Sequence, residues 1–113
     1  MLSKVFRLKK KKDFEKIARS GKTVNSDFLV LKVASNDIKE TRVGFVCSKK
    51  ISKKAITRNR IKRQLREVVK KNLPDLKQGY DIVLFSKTGI LNKDFFEIKA
   101  DVEKAFKKAK LYI

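Results

Sequence analysis

Apolar and polar residues alternate along this chain with two different periods. Phe14, Ile17 and Ala18 fall at i, i+3 and i+4, which predicts a short helix over Asp13 to Ser20, with Gly21 placed to end it. Phe28 to Ala34 is rich in β-formers: Leu29, Leu31 and Val33 share one face, and Phe28, Val30 and Lys32 the other. Ser35 to Glu40 reads as a turn, and Thr41 to Cys47 as the antiparallel return of a hairpin. A loop from Ser48 to Lys54 leads into a helix from about Ala55 to Lys71, which Pro74 stops. Tyr80 to Phe85 is a buried-strand signal; lying after a helix, it is expected to run parallel to an earlier strand. Asn92 or Asp94 caps a last helix whose apolar stripe is Phe95, Ile98, Val102, Phe106 and Ala109. The order helix, strands, helix, strand, helix predicts an α/β sandwich around one small sheet. No repeat or linker divides it, so residues 1–113 read as a single domain.

Charge changes the picture most. Against 12 acidic residues stand 31 Lys and Arg, a net charge of +19. Self-repulsion on that scale opposes a compact state, so it implies a polyanionic partner. Nucleic acid leads and an anionic membrane comes second. The membrane is disfavoured, because no apolar stretch approaches the roughly 20 residues of a span. The start, Met1 to Arg7, also lacks a signal-peptide apolar core. The single cysteine, Cys47, lies in an apolar strand and reads as a buried, inert thiol, which suits a reducing, cytoplasmic setting.

Catalytic chemistry is largely excluded. With no histidine, neither Ser-His-Asp and Cys-His machinery nor the usual zinc sites can be built. The close acid pairs Asp13/Glu15, Asp94/Glu97 and Asp101/Glu103 lie on predicted helices beside lysines and read as solvated or first-turn charges rather than a two-metal site. The four glycines are isolated, so there is no phosphate-cradling loop. No catalytic residue and no metal ligand is therefore assigned.

The cations have a phase. From Lys49 to Lys71 there are eleven Lys or Arg and one acid, Glu67. On the predicted helix Ile61, Leu65 and Val68 lie within a narrow arc, while Asn59, Lys62, Arg63, Arg66 and Lys70 fall opposite, with Arg60 flanking. A solvated helix face is the bland alternative for any one of them. As a set, Lys49, Lys50, Lys53, Arg58, Asn59, Arg60, Lys62, Arg63 and Arg66 are the expected surface for a polyanion, nucleic acid first.

The run Arg58-Asn59-Arg60-Ile61-Lys62-Arg63 followed by Arg66-Glu67, preceded by Ser48-Lys49-Lys50, closely resembles the protein component of bacterial ribonuclease P. Arg7-Leu8-Lys9 with Asp13-Phe14, and Arg42-Val43-Gly44, extend the resemblance over nearly the whole chain. It implies an α+β fold like ribosomal protein S5 domain 2. That is a small four-stranded mixed sheet with three helices and a left-handed β-α-β crossover, against the usual right-handed rule. It also implies the non-catalytic subunit of an endoribonuclease that removes the 5′ leader of precursor tRNA. The resemblance further implies that the catalytic RNA holds Mg2+, that the protein alone binds no cofactor, and that its partners are that RNA and precursor tRNA. Without RNA it is expected to be a monomer. A second surface is implied for the leader, a cleft between the first helix and one sheet face. Phe14 and Phe28 are the matching aromatics, and Lys10 and Lys32 the cationic edges.

Overall fold

The computed structural model describes residues 11–36 and 38–113. Helix α1 (Lys11–Ser20) is followed by strands β1 (Lys22–Asn25), β2 (Leu29–Ser35) and β3 (Arg42–Val46). Helix α2 (Ala55–Asn72), strand β4 (Tyr80–Ser86) and helix α3 (Phe95–Lys108) complete the domain. The four strands form one mixed sheet in the order β1-β2-β4-β3. β1 and β4 each run antiparallel to β2, whereas β3 runs parallel to β4, with α2 as the crossover between them.

The alternation in the strands decides which helix lies on which face. Leu29, Leu31 and Val33 of β2, Val43 of β3, and Ile82 and Leu84 of β4 point to the face covered by α2 and α3. There they meet Ile61, Leu65, Val68 and Val69 of α2 and Ile98, Val102, Ala105 and Phe106 of α3. Each of the Val, Leu, Ile and Phe side chains among them, fully withdrawn from water, contributes about 1.5–3 kcal/mol relative to an exposed one. The opposite face holds a smaller cluster, Ile17 of α1 against Val83 of β4. Gly21 permits that packing: a Cβ there would lie 2.5 Å from the Ile17 carbonyl oxygen and 3.1 Å from that of Val33. Its own N–H closes α1 on the Ile17 carbonyl at 2.8 Å.

The expected hairpin of Thr41 to Cys47 on Phe28 to Ala34 does not form. β4 lies between the two segments and pairs with both. The reason is burial: Ile82, Val83 and Leu84 are all fully enclosed, so β4 is apolar on both faces and takes a central position. Alternation within β2 and β3 reports the face a residue occupies, not its neighbouring strand. Strand β1 carries no usable sequence signal, since of Lys22-Thr23-Val24-Asn25 only Val24 is buried.

Two acids of α3 have separate tasks. Asp94, rather than Asn92, caps the helix, accepting from the Glu97 N–H at 2.8 Å. Asp101 is not the solvated charge its sequence surroundings suggest: it is buried and fastens the β1–β2 turn. Its carboxylate accepts from Ser26 Oγ (2.7 Å), the Asp27 N–H (2.9 Å) and the Phe28 N–H (2.9 Å). At the far end of α2 the Tyr112 hydroxyl donates to Asn72 Oδ1 at 2.8 Å. Burial, then the charges of Glu103 and Asp75, push that hydroxyl up to about 12, so it stays protonated as a donor.

Candidate nucleic-acid interface

The cationic surface is assembled around the start of α2. β3 ends at Val46, and Cys47 is buried just beyond it. The turn at Ser48 closes through the Ile51 N–H on the Ser48 carbonyl at 3.0 Å, and the buried Ile51 anchors it. Lys49 and Lys50 within this turn, and Lys53 and Lys54 after it, project into solvent. Ser52 holds the junction from both ends: its Oγ accepts from the Lys54 N–H (3.2 Å), and its carbonyl accepts from Arg58 Nη1 (2.9 Å). Arg58 is thus half-buried and oriented, whereas Asn59, Arg60 and Arg63 are exposed.

Beneath this array Ile61, Leu65 and Val68 are at most 1 % exposed, as the helical phase predicts. Lys62 and Arg66 lie at the flanks, half-buried. The Arg66 guanidinium rests 5.7 Å from the centre of the Phe45 ring, a cation–π contact that orients it. The helix start is unusual electrostatically. Lys54 at the N-cap supplies no side-chain cap, and the first turn holds no acid. The positive end of the helix dipole therefore adds to the field of the loop lysines instead of being offset, which favours an anion at that end.

The second predicted surface is partly assembled. Phe14 packs with Ala34, Val46 and Phe85 around Ile17 and Val83 on the α1 face. Lys32 is on the same face, its Nζ 6.0 Å from the Phe85 ring centre. Phe14 and Lys32 therefore share a surface, with Phe85 and Val46 as half-buried companions that strand parity could have identified. Phe28 is elsewhere. It packs against the α2/α3 core, and Lys93 Nζ lies 5.1 Å over its ring. The strand begins one residue later than the pattern suggests, and Asp101 draws the Phe28 backbone toward α3, so Phe28 escapes the alternation. Lys10 lies outside the described residues.

The sequence profile of the Ribonuclease P family matches residues 2–110. The chain belongs to the ribonuclease P protein family. Its sequence is 38 % identical to the ribonuclease P protein component of Caldanaerobacter subterraneus over 112 residues, covering 99 % of this chain and 96 % of that one. It is 36 % identical to the Clostridium botulinum component over 107 residues, covering 94 % and 96 %. The Staphylococcus aureus RNase P protein superposes with a TM-score of 0.89 at 29 % identity, covering 96 % of this chain and 98 % of that one. The Thermotoga maritima RNase P protein gives 0.82 at 27 % identity, covering 90 % and 96 %.

Among the described residues of this ribonuclease P protein no three His, Cys, Asp or Glu gather in one place. Among them, too, no helix is long and apolar enough to cross a membrane. One residue of the interface has no role assigned from sequence: Glu67. It lines a groove on α2 with Asn59, Arg63 and Arg66. Its position one turn beyond Arg63, inside a stretch otherwise without acids, is the signal that could have drawn attention to it.

Proposed function

We propose that this chain is the protein subunit of ribonuclease P, which binds the catalytic RNA and the 5′ leader of precursor tRNA and so assists endonucleolytic removal of the leader. The observation that carries this reading is the α2 array: cations held in register by Ile61, Leu65 and Val68 above an uncapped helix start. The reaction hydrolyses one phosphodiester bond, leaving a 5′ phosphate on the mature tRNA. Mg2+ bound by the RNA supplies the metal chemistry.

The protein's part is positioning. Lys49, Lys50, Lys53, Arg58, Arg60, Lys62, Arg63 and Arg66 neutralise phosphates, and Asn59 adds neutral hydrogen bonds. On the other side of the sheet, Phe14 and Lys32 beside Phe85 offer an apolar platform with a cationic edge to single-stranded leader. Before RNA binds, the protein is a monomer.

The test adds purified protein to ribonuclease P RNA and a leader-bearing precursor tRNA at low magnesium. Cleavage is expected to accelerate; RNA binding without acceleration would make the protein a structural binder instead. In a binding titration Phe14→Ala weakens affinity for the precursor more than for mature tRNA, by an amount corresponding to about 1–3 kcal/mol. Equal weakening of both would make Phe14 purely structural.

A further inference from the structure

The groove lined by Asn59, Arg63, Arg66 and Glu67 contains the one acid of the cationic stretch, and this acid has a cost. A carboxylate among eleven cations repels every phosphate the helix attracts. The usual compensation would be an ion pair one turn away. Among the described residues Glu67 makes none. Lys71, one turn on, instead has its Nζ 5.8 Å from the Phe95 ring centre. Glu67 is exposed, so it serves no buried network either.

We propose that this groove reads one unpaired guanine of the bound RNA, with the Glu67 carboxylate accepting from the base. This rests on the reading of α2 as an RNA-binding helix and names what one part of it recognises. The chemistry selects guanine. A carboxylate offers two parallel acceptors, and guanine alone among the four bases presents two adjacent N–H donors, N1–H and N2–H, on its pairing edge. Adenine and cytosine place an acceptor next to their amino group, and uracil sets its N–H between two carbonyls, so each meets the carboxylate with repulsion. Both guanine donors are consumed in a base pair, so the base must be unpaired, the state in which RNA sequence is usually read.

The rest of the groove suits such a ligand. Its volume of about 270 Å³ is room enough for one nucleobase. Asn59 carries both an amide donor and a carbonyl acceptor. Arg63 presents an exposed planar guanidinium against which a base stacks. Arg66, steadied by Phe45, places positive charge at the wall where the phosphate of the same nucleotide enters.

Kethoxal, which modifies the N1 and N2 positions of unpaired guanine, tests this directly. It is applied in two arms, to ribonuclease P RNA and to precursor tRNA, each with the full-length protein and with Glu67→Gln. One guanine is expected to be protected by the wild type and exposed with Glu67→Gln, because the carboxamide turns a donor toward the N–H edge. The arm in which it appears identifies the RNA that supplies the base. In a second measurement, a single-stranded oligonucleotide with one guanine binds wild type about tenfold more tightly than the same strand with inosine, which lacks the N2 amine. Glu67→Gln abolishes that preference while binding the guanine-free strand more tightly, since a negative charge has gone. Protection that survives Glu67→Gln, or equal affinities for guanine and inosine, overturns the proposal. If the wild type neither binds the strands nor stimulates cleavage, the RNA-binding reading falls with it.

Discussion

Helices α2 and α3 pack side by side on the same face of one sheet, yet they begin in opposite ways. α3 starts with Asp94 bonded to the Glu97 N–H and with Glu97 in its first turn, so acids meet the positive end of its dipole. α2 starts with Lys54, no side-chain cap and no acid in the first turn, just after Lys49, Lys50 and Lys53. One helix is finished internally. The other leaves its first amides and its dipole for a partner to complete. On the proposed function, stability and RNA affinity are drawn from different helices of one core, although both use the same kind of apolar stripe to dock.

That division can be broken most severely at Asp101. Asp101→Ala removes a buried carboxylate that satisfies Ser26, Asp27 and Phe28, and should lower unfolding free energy by about 3 kcal/mol in urea titrations. The salt dependence of RNA binding should stay as it was at temperatures where the variant is folded. The mirror experiment is Arg58→Ala, Arg60→Ala and Lys62→Ala combined. The slope of log K against log salt should fall by about 2, roughly 0.7 for each single-strand phosphate contact, with no comparable loss of stability. A loss of stability on the scale of Asp101→Ala would show that α2 does not separate the two roles.

Smaller effects sharpen the contrast at the helix starts. Asp94→Ala should cost about 1 kcal/mol of stability, read as a lower denaturant midpoint, and leave RNA affinity intact. Lys54→Ser should act in the reverse sense. A hydroxyl cap stabilises the free protein by about 0.5 kcal/mol, while the lost cation weakens RNA binding. If Lys54→Ser gains stability and RNA affinity together, the uncapped start has no functional meaning.

Much of this arrangement is legible in the amino-acid sequence, for physical reasons that also explain the gaps. The stripes Ile61, Leu65, Val68 and Phe95, Ile98, Val102, Phe106 are local periodicities, and local periodicity fixes both the element and its buried side. The cationic face of α2 follows from the same phase. Strand neighbours are a non-local matter, so the place of β4 between β2 and β3 requires its two-faced burial to be weighed above proximity in the chain. Asp101 looks like any surface acid in sequence, because the Ser26, Asp27 and Phe28 donors lie more than seventy positions away. Alternation puts Phe28 on the face of Lys32, and that parity fails by one residue at the strand start. Phe14 and Lys32, inside regular elements, do share a face.

The crossover has a thermodynamic consequence. α2 is the covalent link between the parallel neighbours β3 and β4, so the cationic surface proposed to meet RNA cannot detach while the sheet stays intact. A ligand that grips α2 therefore grips the native state as a whole and stabilises it by mass action. The melting temperature should rise with RNA concentration, and screening ions should reproduce part of that rise by quieting the repulsion of +19 charges. The folded population of the subunit in a cell is then set jointly by the protein and by how much RNA is there to receive it.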